Sequence, residues 1–226
     1  MIYILPFLSV LLGYIIAVFL QPKNKKNLKL LLAFSGSFLL ALTVSHLLPD
    51  VYDDRHIAGR LAPSLFIMLG IVFQIVLEYF SQGAEHGHVH GHDKMNNMPW
   101  ALFISLCLHA LLEGMPVSHH NDLAWGISIH HFPIAIILTI FLMQSRLNKI
   151  STFVFMFAFA LMTPLGTLAS QDVDFLSHYQ TEITAFVVGI LFHISSTIIF
   201  ESSEGHKFNL AKITVIVLGI VLAYFM

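Results

Sequence analysis

The sequence predicts an all-α integral membrane protein with eight transmembrane helices, and its composition, segment lengths and basic residues support this. The chain has 226 residues, of which 57% are hydrophobic and 11% charged, and its mean hydropathy is +0.80. Soluble domains carry about 25% charged residues. A particle of this size cannot hide so much apolar surface from water, so we expect one transmembrane domain over residues 1–226.

Eight apolar segments are long enough to cross a bilayer, since a membrane helix needs about 20 residues at a rise of about 1.5 Å each. We number them spans 1 to 8, at 2–21, 28–49, 63–83, 98–118, 124–144, 150–170, 182–201 and 210–226. Proline, asparagine, aspartate, lysine or glycine interrupts the chain between them, as is typical of loops. The first segment lacks a basic start, so it is interpreted as a span and not as a signal peptide.

The basic residues predict the orientation. Nine of the eleven lysines and arginines follow spans 1, 3, 5 and 7, and only Arg55 and Arg60 lie on the other side. Because cytoplasmic loops carry the excess of basic residues, both termini are expected outside. The outer face is acidic and would concentrate cations.

The strongest candidate site joins spans 4 and 5. His109 and Glu113 are four residues apart on span 4 and therefore share one helix face. His130 and His131 on span 5 fall within roughly 6 Å of the same depth, counted at 1.5 Å per residue. Imidazole and carboxylate groups at membrane depth predict a metal site. One histidine of span 5 is expected to face the metal, and the other to take a further position or hold a ligand in place.

Other polar residues suggest a route through the membrane, although each alone is more typical of an interface. The expected entry path consists of His46, Asp50, His119, His120 and Asp122. The expected exit path consists of His193, Glu201 and Glu204. Glu78 on span 3 is a further ionisable residue within an apolar segment.

The predicted cytoplasmic loop 84–97 alternates histidine with other residues, a composition typical of metal binding. Its histidines are His86, His88, His90 and His92. The one cysteine, Cys107, excludes both an intrachain disulfide and a cysteine zinc site. The sequence has no basic patch outside short loops, so nucleic-acid binding is not expected.

The motifs of this chain, in their order along the sequence and their placement on the predicted spans, resemble those of the ZIP (zinc/iron permease) family of divalent metal transporters. The strongest are His109-x-x-x-Glu113-Gly114 and His130-His131-x-Pro133. Supporting motifs are Gly36-x-Phe38-Leu39, His46-Leu47-Leu48-Pro49-Asp50 and Thr163-Pro164-Leu165-Gly166.

The resemblance implies a bundle in which spans 4 and 5 sit between two inverted three-helix repeats, a 3+2+3 arrangement. It implies transport of Zn²⁺, Fe²⁺ or Mn²⁺ into the cytoplasm by one bundle sliding past the other, with no permanent cofactor. A homodimer is a further implication. The short chain suggests the bacterial type, in an inner membrane.

The chain departs from the family pattern at Ala110, Ile134 and Thr163, where relatives carry asparagine or glutamate ligands. We therefore expect one central metal, with His131 and water completing the ligands His109, Glu113 and His130; this nitrogen-rich set favours Zn²⁺. The alternative function is an intramembrane zinc hydrolase, although the sequence has no HExxH motif. A metal sensor is a weaker alternative.

Overall fold

The computed structural model describes residues 4–22, 25–53, 62–81, 100–144, 147–201 and 209–226, and all regular structure within them is helical. The α-helices are α1 (Ile4–Leu20), α2 (Lys25–Leu42), α3 (Leu48–Asp53), α4 (Pro63–Ser81), α5 (Trp100–Gly114), α6 (Asn121–Gln144), α7 (Lys149–Asp172), α8 (Asp174–His178), α9 (Gln180–Glu201) and α10 (Leu210–Tyr224). A π-helical turn, Thr43–Leu47, joins α2 to α3, and a 3₁₀ turn, Met115–Ser118, extends α5.

Each of the eight predicted segments contains a helix among its described residues, and six of the helical stretches are long and apolar enough to cross a membrane. The protein is therefore an all-helical, multi-pass membrane protein. Helices α1 and α10 are apolar but shorter, so the count of eight spans and the outside termini remain predictions. The short helix α8 was not predicted. It follows Val173, whose extended backbone ends the helical conformation of α7.

Two spans change their helical geometry close to a proline. The π-helical turn containing His46 precedes Pro49, and Pro116 lies in the 3₁₀ turn after α5. Proline lacks the N–H of a regular helix and clashes with the preceding turn, so a locally wider or tighter turn is a common response. The first turn contains His46 and the second is followed by His119, and both histidines belong to the predicted entry path.

A first group of helices, α1, α5, α6 and α7, packs around one apolar core. Within it, α5 and α7 approach so closely that a Cβ on Gly114 would overlap the carbonyl oxygen of Thr163, and a Cβ on Gly166 would overlap that of Leu111. Small residues allow such backbone contact between membrane helices. The contact fixes α5, which carries two of the predicted ligands.

A second group consists of α2, α4, α9 and α10. Gly70 of α4 and Gly189 of α9 are in reciprocal contact with the backbone of Phe186 and Ile67. Similarly, Gly219 of α10 lies against the backbone of α2. Apolar clusters built from α2, α6 and α9 lie where the two groups meet.

The glycine contacts follow a regular pattern. The glycines at which an added Cβ would come within 2.8 Å of backbone on another helix pair span 1 with span 5, span 4 with span 6, span 2 with span 8, and span 3 with span 7, whereas Gly36 and Gly126 mainly meet side chains of Ile198 and Leu42. Exchanging spans 1–3 with spans 6–8, and span 4 with span 5, converts each pair into another pair of the set. Two inverted three-helix repeats around a central pair would produce this pattern.

Candidate metal centre

Two neighbouring helices bring three ligand side chains together in the core. His109 and Glu113 of α5 and His130 of α6 each offer a ligand atom, and these atoms lie within 4.8 Å of one another. The residues are between 0% and 3% exposed. The i, i+4 spacing on α5 aims both side chains to one side of the helix, as the sequence predicts.

The Glu113 carboxylate is shared by two imidazoles. Its Oε2 lies 3.3 Å from Nε2 of His109 and 3.0 Å from Nε2 of His131. Its Oε1 receives no hydrogen bond from any residue that the structure describes. A fully buried carboxylate oxygen without a donor is costly, so Oε1 is suited to accept a cation.

The two adjacent histidines of α6 differ in their surroundings. His130 belongs to the three-residue group, whereas His131 contacts Oε2 of Glu113 and packs its ring 5.3 Å from that of Phe159. A hydrogen bond from an imidazole can orient a ligating carboxylate. His131 is therefore placed to hold Glu113 in position.

The end of α5 is fixed by hydroxyl groups of α7. Thr167 Oγ1 donates to the carbonyl of Gly114 at 2.8 Å, and Ser170 Oγ donates to that of Met115 at 2.8 Å. Carbonyls at a helix end have no partner within the helix and need one at membrane depth. Thr163 is buried beside Gly114, but it offers no carboxylate to the centre.

The predicted entry residues form two histidine–aspartate pairs that cross between helices. His46 Nδ1 lies 3.8 Å from Asp122 Oδ2, and His120 Nδ1 lies 3.4 Å from Asp50 Oδ2. His119 is exposed next to them. Each pair thus joins span 2 of the second helix group to the connection between spans 4 and 5 in the first group.

His120 lies in that connection, and its pKa is lowered. Burial is the largest cause, and the neighbouring His119 and His46 act in the same direction, whereas Asp50 and Asp122 oppose them. His120 therefore remains neutral at a lower pH than an ordinary histidine. A neutral imidazole can accept a metal ion.

On the expected exit side, His193 Nε2 lies 2.6 Å from Glu78 Oε2. Glu201 ends α9. Its side chain, Glu204 and loop 84–97, with His86, His88, His90 and His92, lie outside the described part of the chain. Glu78 is among the polar residues that suggest a route through the membrane, but its contact with His193 was not predicted. The signal available was a carboxylate within an apolar span, one helical turn after the buried Gln74.

Comparison with known proteins gives an informative similarity. No protein-family model matches the chain. The protein named "Zinc transporter ZIP1" of Danio rerio is 22% identical over an alignment of 194 residues, which covers 63% of this chain and 64% of the relative. The chain thus spans less than two thirds of the length of this curated relative. The similarity agrees with the resemblance carried by the motifs on spans 4 and 5.

Proposed function

We propose that the protein transports divalent metal ions across a membrane, with Zn²⁺ as its main substrate and uptake into the cytoplasm as its direction. The observation that carries the proposal is the buried group of His109, Glu113 and His130 on two adjacent membrane helices. Similarity to a protein named as a zinc transporter supports the same function. Fe²⁺ and Mn²⁺ are the alternative substrates.

The donor set suits zinc. Two imidazoles and a carboxylate are common zinc ligands, and three protein ligands leave one tetrahedral position for water. The negative charge of Glu113 offsets part of the cost of removing water from a divalent cation. Without it, a doubly charged ion at this depth would be strongly disfavoured.

We propose that the centre holds one metal ion. Within the described residues, His109, Glu113 and His130 form the one group of three or more ligand side chains at ligating distances. Ala110 and Ile134 supply no ligand atom, and Thr163 lacks a carboxylate. These three residues occupy the positions at which the family motifs carry further ligands.

The helix groups suggest how the ion crosses. The three ligand residues and His131 all belong to α5 and α6 in the first group. Apolar side chains separate much of this group from the second. We propose that the first group slides against the second and carries the ion with it. The crossed pairs at the mouth, His46 with Asp122 and His120 with Asp50, would then separate and receive incoming ions.

A transporter accounts for these features better than an enzyme. The similarity to a zinc transporter supports transport, and an intramembrane hydrolase is not favoured. A hydrolase would need a water-activating site at one depth, whereas ionisable residues occur at the mouth, at the centre and on α9. The multi-pass fold suits a cell membrane, where we place the protein, as a homodimer, with both termini outside.

Metal flux into proteoliposomes tests the proposal. Purified full-length protein should carry Zn²⁺, with Fe²⁺, Mn²⁺ and Cd²⁺ added as competitors. We expect His109→Ala to abolish flux and Cys107→Ala, on the same helix, to preserve it. A chain that binds Zn²⁺ without moving it, or whose His109→Ala variant transports normally, would contradict the proposal.

A further inference from the structure

Helices α4 and α9 share a seam that combines backbone contact with ionisable side chains. Gly70 and Glu78 are eight residues apart on α4, and Gly189 and His193 are four residues apart on α9. These spacings put each pair on one helix face. The helices touch through the glycines, and further along the same seam His193 Nε2 meets Glu78 Oε2 at 2.6 Å.

From this geometry we propose that Glu78 and His193 form a second divalent-cation site, on the helix group that does not carry His109 and Glu113. Imidazole nitrogen and carboxylate oxygen are ligands for Zn²⁺. In tetrahedral zinc at bond lengths of about 2.0–2.2 Å, two such atoms lie about 3.3 Å apart. A small rotation of either side chain from the observed separation would admit the ion.

The side chains are accessible enough for water to complete the coordination. His193 is 20% and Glu78 is 25% exposed, compared with 3% for His109 and 0% for Glu113. The outward side of α4 instead carries exposed apolar residues, namely Ile75, Val76 and Tyr79. Ionisable groups in membrane helices face the bundle interior or a water-filled cavity, and they mark ion pathways.

A purely structural role explains the pair less well. The glycine contacts already hold α4 against α9 without it. A partly buried ion pair adds little to stability, because removing two charged groups from water costs about as much as their attraction returns. Apolar side chains would serve equally well as packing.

The site is separate from the central one. Apolar side chains of α2, α6 and α9 form a cluster between the helix groups, with Ile134, Ile190 and Ile194 among its members. An ion leaving the central site would reach Glu78 and His193 only after the groups have shifted. This role in release rests on the proposed transport function, whereas the binding itself does not.

Equilibrium binding of Zn²⁺ to the full chain in detergent tests the site. The background variant removes the central ligands (His109→Ala, Glu113→Gln), the loop histidines (His86, His88, His90 and His92 to Ser) and the thiol (Cys107→Ala). We expect it to retain Zn²⁺ that is lost with His193→Ala and with Glu78→Gln. The matched control is Ser195→Ala on α9, which should leave this binding unchanged. Equal Zn²⁺ binding before and after His193→Ala would overturn the proposal.

A rescue variant separates loss of a ligand from loss of fold. In the same background, His193→Cys should bind Cd²⁺ and show the ultraviolet absorption of a cadmium thiolate, and Glu78→Gln should weaken that binding at least tenfold. Absence of the band in a variant that elutes as a folded protein would also overturn the proposal. Failure of the wild-type chain to transport would refute the transport function and leave this binding result standing.

Discussion

The carboxylate oxygen Oε2 of Glu113 lies 3.0 Å from Nε2 of His131, so the ligand-bearing helices α5 and α6 meet at a buried hydrogen bond. Oε1 of the same carboxylate accepts no hydrogen bond from the described residues. His131 therefore holds one oxygen while the other remains for an ion.

This arrangement predicts different effects for two adjacent histidines. Because His131 positions a ligand, His131→Ala should weaken Zn²⁺ binding by about 10- to 100-fold and leave the number of bound ions unchanged. Because His130 offers a ligand atom itself, His130→Ala should reduce that number. Titration of the purified protein with Zn²⁺, with the loop histidines replaced by serine, measures both quantities. The assignment is wrong if His131→Ala removes the ion and His130→Ala retains it.

The metal content of the centre is a second prediction. Crystals of the full chain soaked in Zn²⁺ should show one anomalous scattering peak at the centre, bounded by His109, Glu113 and His130. The residues Ala110, Ile134 and Thr163 offer no nitrogen or carboxylate ligand for another ion. Two equally occupied peaks within the centre would contradict the prediction.

Sequence periodicity was sufficient to predict that His109, Glu113 and His130 lie close together, and their role as metal ligands stays a prediction. His109 and Glu113 share a face by their spacing, and a short connection places His130 at the same depth. Helix length and composition likewise predict where the membrane segments lie. These features depend on local spacing, which the sequence displays directly.

Contacts between distant helices could not be predicted in the same way. The pairing of His193 with Glu78 depends on the packing of α9 against α4, and the crossed pairs at the mouth depend on how two helix groups meet. The π-helical turn that carries His46 was also not predicted, because proline signals a disturbed helix without specifying its new geometry. Such features require the tertiary arrangement.

The contact of α5 with α7 gives a third prediction. In Gly166→Ala, the added methyl group would overlap the carbonyl oxygen of Leu111, and backbone cannot rotate away as a side chain can. Overpacking of this kind costs about 1–3 kcal/mol. The variant should therefore melt at a lower temperature in detergent and bind Zn²⁺ more weakly, since α5 carries His109 and Glu113.

The matched control for that variant is Gly126→Ala. Its new methyl group would meet side-chain atoms of Leu42 and Leu39, which can move aside. We expect a smaller change in melting temperature. Equal destabilisation by the two substitutions would show that backbone contact between α5 and α7 is not the cause.

The outer mouth gives a prediction about pH. Burial lowers the pKa of His120 below its usual value of 6.5, and the Asp50 carboxylate opposes this. Removing that carboxylate in Asp50→Asn should lower the pKa of His120 further, whereas His46→Ala should raise it, because the two imidazoles disfavour each other's protonation. NMR titration of histidine-labelled protein, with His120→Gln used to assign the signal, measures both shifts.

The sign of the linked stability effect follows from the same pKa. A histidine whose folded-state pKa is depressed binds its proton more weakly when folded, so its protonation favours the unfolded chain. The contribution of His120 to stability is therefore fully present above pH 6.5 and declines as the pH falls toward its folded-state pKa. Comparison of wild type with His120→Gln by thermal unfolding between pH 7.5 and about pH 5 checks this, because the variant should lose less stability on acidification. A wild-type chain that gains stability relative to the variant as the pH falls would mean that the Asp50 pair, and not burial, dominates the environment of His120.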